Sequence, residues 1–309
     1  MIRKRDVFYW QERSILKNLN MEWKEHIVFK IIDEDGIEGL GSATPYKNFG
    51  ETFKTTMAVV ESLRRFSENF DDLNELYDFQ TDLEFIIKKE HAAKTAVLLA
   101  ISDYLIKKNS IDISKILYTK KDNTYQETLK RVYWKKDLNI YSLNLDKKNT
   151  LKFEFIEKPD LKDIINIKKL FGKYDLWFDF RGFLNYHEFR RVYNILKDLS
   201  IIGFEQPVKP GSEDNIYDMY ELPIFWDESI ENMENIKKLK GQGLVLDITK
   251  MGGLLNMRKA LNISELFGFE TVISTRLEHP YNINWSKKIK NSFNFVDLNI
   301  DNYIVKTSK

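Results

Sequence analysis

The stretch PIFWDES, residues 223–229, is an apolar run that stops on two adjacent acids, Asp227 and Glu228. Strands favour aromatic and β-branched residues, and a carboxylate at the end of a buried strand is costly unless a cation or hydrogen bonds meet it. An Asp can also end such a run as a helix cap, so the stretch alone leaves two readings. The pattern recurs. Asp179 closes DLWFD, Glu205 closes IIGFE, Asp227 closes PIFWD, and Lys250 follows LVLDIT. The intervals are 26, 22 and 23 residues, about one strand-plus-helix unit each. Apolar runs from TLKFEF onward are separated by helix-length stretches such as 185–198, 229–240 and 254–267. That alternation predicts a parallel sheet covered on both faces. So many units favour a (β/α) barrel over an open sheet, and no Gly-x-Gly-x-x-Gly turn marks a dinucleotide fold.

The first 110 residues read differently. EHIVFKIIDEDGIEGLGSATPY gives two alternating runs around Asp35-Gly36, a hairpin signal. Three helical patterns follow, over about 50–69, 72–89 and 91–107. Strands followed by helices predict a small α+β domain. Between the two regions, NIYSLNLDKKNTLKFEF reads either as a hairpin around Asp146–Asn149 or as a sign that the first barrel strand lies earlier, near Arg131–Trp134.

If each unit is one step round a barrel, Asp179, Glu205 and Asp227 sit at the C-terminal strand ends, the face that carries barrel active sites. Three carboxylates there repel one another unless a cation lies between them, and oxygen-only ligands suit a hard divalent ion, Mg2+ first. Each acid alone is as readily a cap; three in step are not. Lys152 lies one unit before Asp179 and Lys250 one unit after Asp227, so a closed barrel sets them across the acids from each other. A lysine beside a divalent cation loses preference for its charged form and can act as a base. Metal and two lysines suit removal of a proton next to a carboxylate.

FEQP, FWDES, DITKMGG and VISTRLEHP, in this order and spacing, resemble the enolase superfamily, most of all the proteobacterial type of o-succinylbenzoate synthase. GIEGLGSATPYKNFGET resembles that family's hairpin and capping loop. The resemblance implies an N-terminal α+β capping domain (1–110), a modified (β/α)7β TIM-like barrel (111–295) and a C-terminal segment (296–309) returning to the capping domain. It implies Mg2+ on Asp179, Glu205 and Asp227, with Glu228 beside them. Lys152 would be the general base and Lys250 the enediolate-stabilising group. Ser274, Thr275 and Arg181 would meet the substrate carboxylate. The implied reaction is dehydration of 2-succinyl-6-hydroxy-2,4-cyclohexadiene-1-carboxylate to o-succinylbenzoate, a hydro-lyase step of menaquinone synthesis. The alternatives are another enzyme of the superfamily, a dipeptide epimerase or cycloisomerase, or a non-catalytic binding protein on the same fold. The chain departs from the pattern where Lys-x-Lys is Thr150-Leu151-Lys152, or Lys152-Phe153-Glu154 if shifted. It departs again where Asp-x-Asn is Asp179-Phe180-Arg181, an arginine expected to pair with Glu205 or a substrate carboxylate.

Bulk properties exclude other classes. Lys+Arg 48 against Asp+Glu 47 leaves a net charge of +1 and no electrostatic case for nucleic acid. No cysteine is present, which removes disulfides, thiolate nucleophiles and Cys-based zinc sites. The charged first residues and the absence of a long apolar run lead to the expectation of a soluble cytoplasmic protein, with no membrane partner and a small-molecule carboxylate substrate. His26, His91, His187 and His279 show no metal-ligand spacing.

Overall fold

A computed structural model describes residues 5–17, 22–66, 70–113, 116–117, 127–134, 150–231, 233–298 and 304–308. Strands β1 (Asp6–Leu16), β2 (Trp23–Ile32) and β3 (Glu38–Ala43) form an antiparallel sheet. The β2–β3 turn is set by Asp33, whose side chain accepts the backbone N–H groups of Asp35 and Ile37, and by Gly36 at φ 79°. Three helices follow: α1 (Phe53–Arg64), α2 (Leu73–Ile86) and α3 (His91–Lys108). Helix α3 is buried along nearly its whole length, because it lies between the sheet and the barrel. It sits so close to β3 that a Cβ on Gly39 or Gly41 would lie 2.1 Å from a carbonyl oxygen of Ala100 or Ala96.

Eight parallel strands close the barrel: β4 (Glu127–Trp134), β5 (Thr150–Phe155), β6 (Leu176–Asp179), β7 (Ile201–Glu205), β8 (Ile224–Trp226), β9 (Gly243–Leu246), β10 (Glu270–Ser274) and β11 (Phe295–Asp297). Helices α4 (Leu161–Phe171) and α5 (Tyr186–Leu196) begin on reciprocal capping boxes, Asp160/Asp163 and Asn185/Glu188. The last strand, β12 (Ile304–Ser308), pairs antiparallel with β1.

The earlier placement of the first barrel strand holds: β4 includes Arg131–Trp134 and pairs with β5 and β11. The Asp146–Asn149 turn lies outside the described residues. The expected helix over 229–240 shrinks to a single turn, α6 (Met233–Ile236), and a 3-10 run, Glu213–Met219, stands between β7 and β8. Helices α7 (Leu254–Phe267) and α8 (Pro280–Ile289) complete the ring. Asn282 of α8 fastens the two layers, exchanging hydrogen bonds with Ser42 of β3 (2.8 Å each way) and donating to Thr249 (3.2 Å). Among the described residues no helix is long and apolar enough to cross a membrane.

Candidate active site at the barrel mouth

The barrel floor is apolar: Leu129, Trp177, Phe225, Val245 and Val272 pack together inside it. Gly203 leaves the space Trp177 fills, since a Cβ there would lie 2.5 Å from the indole. Charge begins one layer higher. Lys152, on β5 and 1% exposed, donates to Glu205 Oε1 of β7 and Asp297 Oδ2 of β11, each at 2.8 Å, and lies 3.4 Å from Asp179 Oδ2 of β6. Arg131 of β4 holds Asp297 with two donors (3.1 and 2.6 Å) and reaches Ser274 Oγ at 3.3 Å. Burial would raise the Asp297 carboxyl, but Arg131 and Lys152 pull it down to about 2. Burial would lower the Lys152 ammonium, but Asp297, Glu205 and Asp179 hold it well above the ordinary lysine value. Glu205 also accepts from Trp177 Nε1 (2.7 Å). Its pKa is raised by burial and by neighbouring Asp179, more than Lys152 offsets.

Strand β8 ends at Trp226, so Asp227 opens the following loop. Gln206, at φ 38°, latches that loop: its Oε1 accepts the backbone N–H groups of Asp227 (3.1 Å) and Ser229 (3.0 Å). The FEQP and FWDES motifs are thus one structural unit. Lys250 Nζ donates to the Asp227 carboxylate, to Asp227 O (3.0 Å) and to Val245 O (2.6 Å), which uses all three of its hydrogens. Burial would raise Asp227, but Lys250 and Arg276 lower it. Asp247, the first residue past β9, pairs with Arg276 Nε at 3.1 Å. The Arg276 guanidinium lies 3.6 Å from the Tyr46 ring centre, so a residue of the α+β domain closes over the mouth.

Glu154 pairs in register with Asp179 across β5 and β6. Its oxygens stand 3.5 Å from Arg131 Nη1 and 3.6 Å from Arg181 Nη1. Burial pushes its carboxyl up against the pull of Arg131. Arg181 adopts φ 50°, and its backbone N–H donates to Asp179 Oδ1 (3.1 Å). These groups surround a cavity of about 410 Å³, lined also by Lys24, Thr44, Pro45 and Tyr46 of the α+β domain.

The structure therefore brings Asp179, Glu205, Asp227, Lys152, Arg181, Ser274, Thr275 and Glu228 to one cavity. Lys250 reaches it only from behind, through Asp227. Arg181 pairs with Glu154, not with Glu205 as expected. Glu228 leaves one oxygen buried without a partner, and burial and Asp227 push its pKa up to about 8. Thr44 and Tyr46 line the cavity from the α+β domain. Arg131 and Asp247 also carry ion pairs of the site and were not singled out from sequence as site residues. The shifted reading Lys152-Phe153-Glu154 was the one available signal for Glu154. No histidine appears in the cavity lining.

Residues 146–291 match the protein family described as Enolase C-terminal domain-like. The chain is 23% identical over 284 residues to an L-Ala-D/L-Glu epimerase of Bacteroides thetaiotaomicron, covering 86% of this chain and 71% of that one. Its fold superposes on a solved L-Ala-D/L-Glu epimerase with a TM-score of 0.82 at 19% identity, covering 99% and 95% of the two chains. It superposes equally, at 0.82 and 19% identity over 98% and 92%, on a dipeptide epimerase from Enterococcus faecalis V583 complexed with Mg and the dipeptide L-Leu-L-Tyr.

Whether the site suits a divalent cation depends on its donors and its charge. Among the described residues no three acids or histidines are drawn into a closed metal cage, because Lys152 and Lys250 occupy the carboxylates. The donor chemistry nevertheless fits. Asp179, Glu205 and Asp227 are hard oxygen donors at the C-terminal ends of three adjacent strands. Carboxylates outnumber cations around the cavity, and one Glu228 oxygen is buried there without a partner.

Proposed function

We propose that this chain is a Mg2+-dependent enzyme that removes the proton beside the carboxylate of a small dipeptide-like substrate and returns it on the opposite face, a dipeptide epimerase. The observation that carries this is the two-sided layout of the site. In the closed order, β5 and β9 are four strands apart among eight, so they stand on opposite sides of the mouth. Glu154 faces the cavity from β5, and Lys250 follows β9 behind Asp227. A base must offer a free lone pair. Lys152 is charged and already donates to Glu205 and Asp297, whereas Glu154 has only long contacts to two arginines. Glu154 is therefore the base on its side, and protonated Lys250, which must turn from Asp227 toward the cavity to reach the substrate, the acid on the other. Asp179, Glu205 and Asp227 would hold Mg2+, which supplies charge to stabilise an enediolate developing on the substrate. The relatives named as dipeptide epimerases support this reading over dehydration to o-succinylbenzoate.

One observation favours the lyase as a second reading. All three Lys250 hydrogens are engaged, and an elimination needs only the β5 side. A single assay separates the two. L,L-dipeptides and the hydroxycyclohexadiene carboxylate are each incubated with Mg2+ in D2O, with α-proton exchange followed by NMR and aromatisation by ultraviolet absorbance. Inversion of a dipeptide that Glu154→Gln abolishes, and that Lys250→Met converts to exchange without inversion, supports the epimerase. Aromatisation that survives Lys250→Met, with no dipeptide exchange, sinks it in favour of the lyase.

A further inference from the structure

Glu278 is a buried acid that the chemistry above does not use. It is 1% exposed, lines the cavity, and neither carboxylate oxygen has a hydrogen-bond partner. The Thr249 hydroxyl is near, but no hydrogen bond of ordinary geometry closes between them. The backbone around Glu278 is tied down. Its backbone N–H donates to Arg276 O (2.7 Å), and the next residue, His279, caps α8 and pairs with Glu12 of β1 at 3.0 Å. An unpartnered buried carboxylate costs several kcal/mol unless a proton or cation joins it. Burial and Asp247 push the Glu278 carboxyl up to about 8, in keeping with that missing partner. Among the described residues Arg276 and Lys24 act on it but form no ion pair with it, and only temper the shift.

A group of opposite sign lies unpartnered in the same wall. Arg276 Nη2 is buried with no hydrogen-bond acceptor, the nearest carboxylate being Asp227 at 3.9 Å, and Thr275 Oγ1 is likewise unpartnered. The acid at the end of β11 cannot take a ligand cation, because Asp297 is consumed by Arg131 and Lys152. We propose that Glu278 accepts the protonated amine of the substrate while Arg276 donates to an anionic group of the same molecule, so that the site selects zwitterions with a free amino terminus. This rests on the reading that the cavity takes a dipeptide-like substrate.

The test is calorimetric binding of L-alanyl-L-glutamate and its N-acetyl derivative to the Mg2+-loaded protein, with α-proton exchange measured on the same samples. The expected result is about ten-fold or tighter binding of the free amine, the scale of a charge-assisted hydrogen bond. Glu278→Gln then reduces the free-amine affinity to that of the acetylated peptide and leaves the latter unchanged. Glu278→Asp, which keeps the charge but withdraws it by one methylene, weakens only the free amine. Equal affinity for the two peptides, or a Glu278→Gln effect on both alike, overturns the proposal. Discrimination without α-proton exchange supports the amine site and removes the epimerase reading. Exchange of both peptides at one KM does the reverse, and no binding of either overturns both.

Discussion

Replacing Lys152 by Met tests whether this lysine holds the site together. Its ammonium makes two hydrogen bonds of 2.8 Å to carboxylates, at 1% exposure. At an effective dielectric of about 20, each contact is worth roughly 6 kcal/mol before desolvation is subtracted. Removing one partner of such a buried pair costs about 3–5 kcal/mol, because the other charge stays buried. The loss falls unevenly. Asp297 keeps its two bonds to Arg131, whereas Glu205 keeps only the Trp177 N–H. Glu205 can recover by taking a proton, so the cost depends on pH. A carboxyl whose folded pKa is raised contributes stability that is lost as pH rises. Lys152→Met raises the Glu205 value further, so the variant should lose about 3–4 kcal/mol near pH 8 and clearly less near pH 5. Urea unfolding of both proteins in chelator, read by far-ultraviolet dichroism and tryptophan fluorescence, measures this. Equal stability at pH 8 would refute the ion-pair role, and an equal loss at both pH values would assign the effect to packing.

Other outcomes follow from single contacts. Gly41→Ala places a methyl group 2.1 Å from the Ala96 carbonyl, so β3 and α3 must separate; thermal melts should show a loss of about 3 kcal/mol or more, and an unchanged Tm would contradict it. Because the Glu278 carboxyl is raised from 4.5 to about 8, its contribution is present below pH 4.5 and lost as pH rises through 8. Glu278→Gln should therefore stabilise the metal-free protein above pH 8, with a ceiling of about 4–5 kcal/mol, and a pH–stability curve parallel to wild type would exclude this. Mg2+ at a hundred times its Kd should stabilise wild type by about 2.7 kcal/mol and leave Glu205→Gln unchanged in the same melts; equal shifts would place the ion elsewhere.

Much of the architecture was legible locally. Runs such as TLKFEF and GLVL became strands because continuous apolar and β-branched residues suit a sheet buried on both faces. The stretch 229–240 holds only the single turn Met233–Ile236, and the loop before it is held by Gln206, a residue remote in sequence that no local pattern links to it. Lys250 was expected at the reacting face. Its position four residues past β9 puts it in a turn, where it folds back on Val245 and Asp227.

By itself the sequence determined the fold class, the acids at consecutive strand ends, and the alternation that turns Lys152 and Glu154 to the same side of β5. Those are short-range properties, set by the period of the strand and the length of a βα unit. Only the tertiary structure decided which of these groups are already partnered. Lys152 meets Asp297 across 145 residues of chain, Arg131 meets the same acid across 166, and Glu278 is left without a partner. The physical reason is that closing the barrel brings its first and last strands together, and ion pairing in a buried layer depends on distances that no local pattern contains.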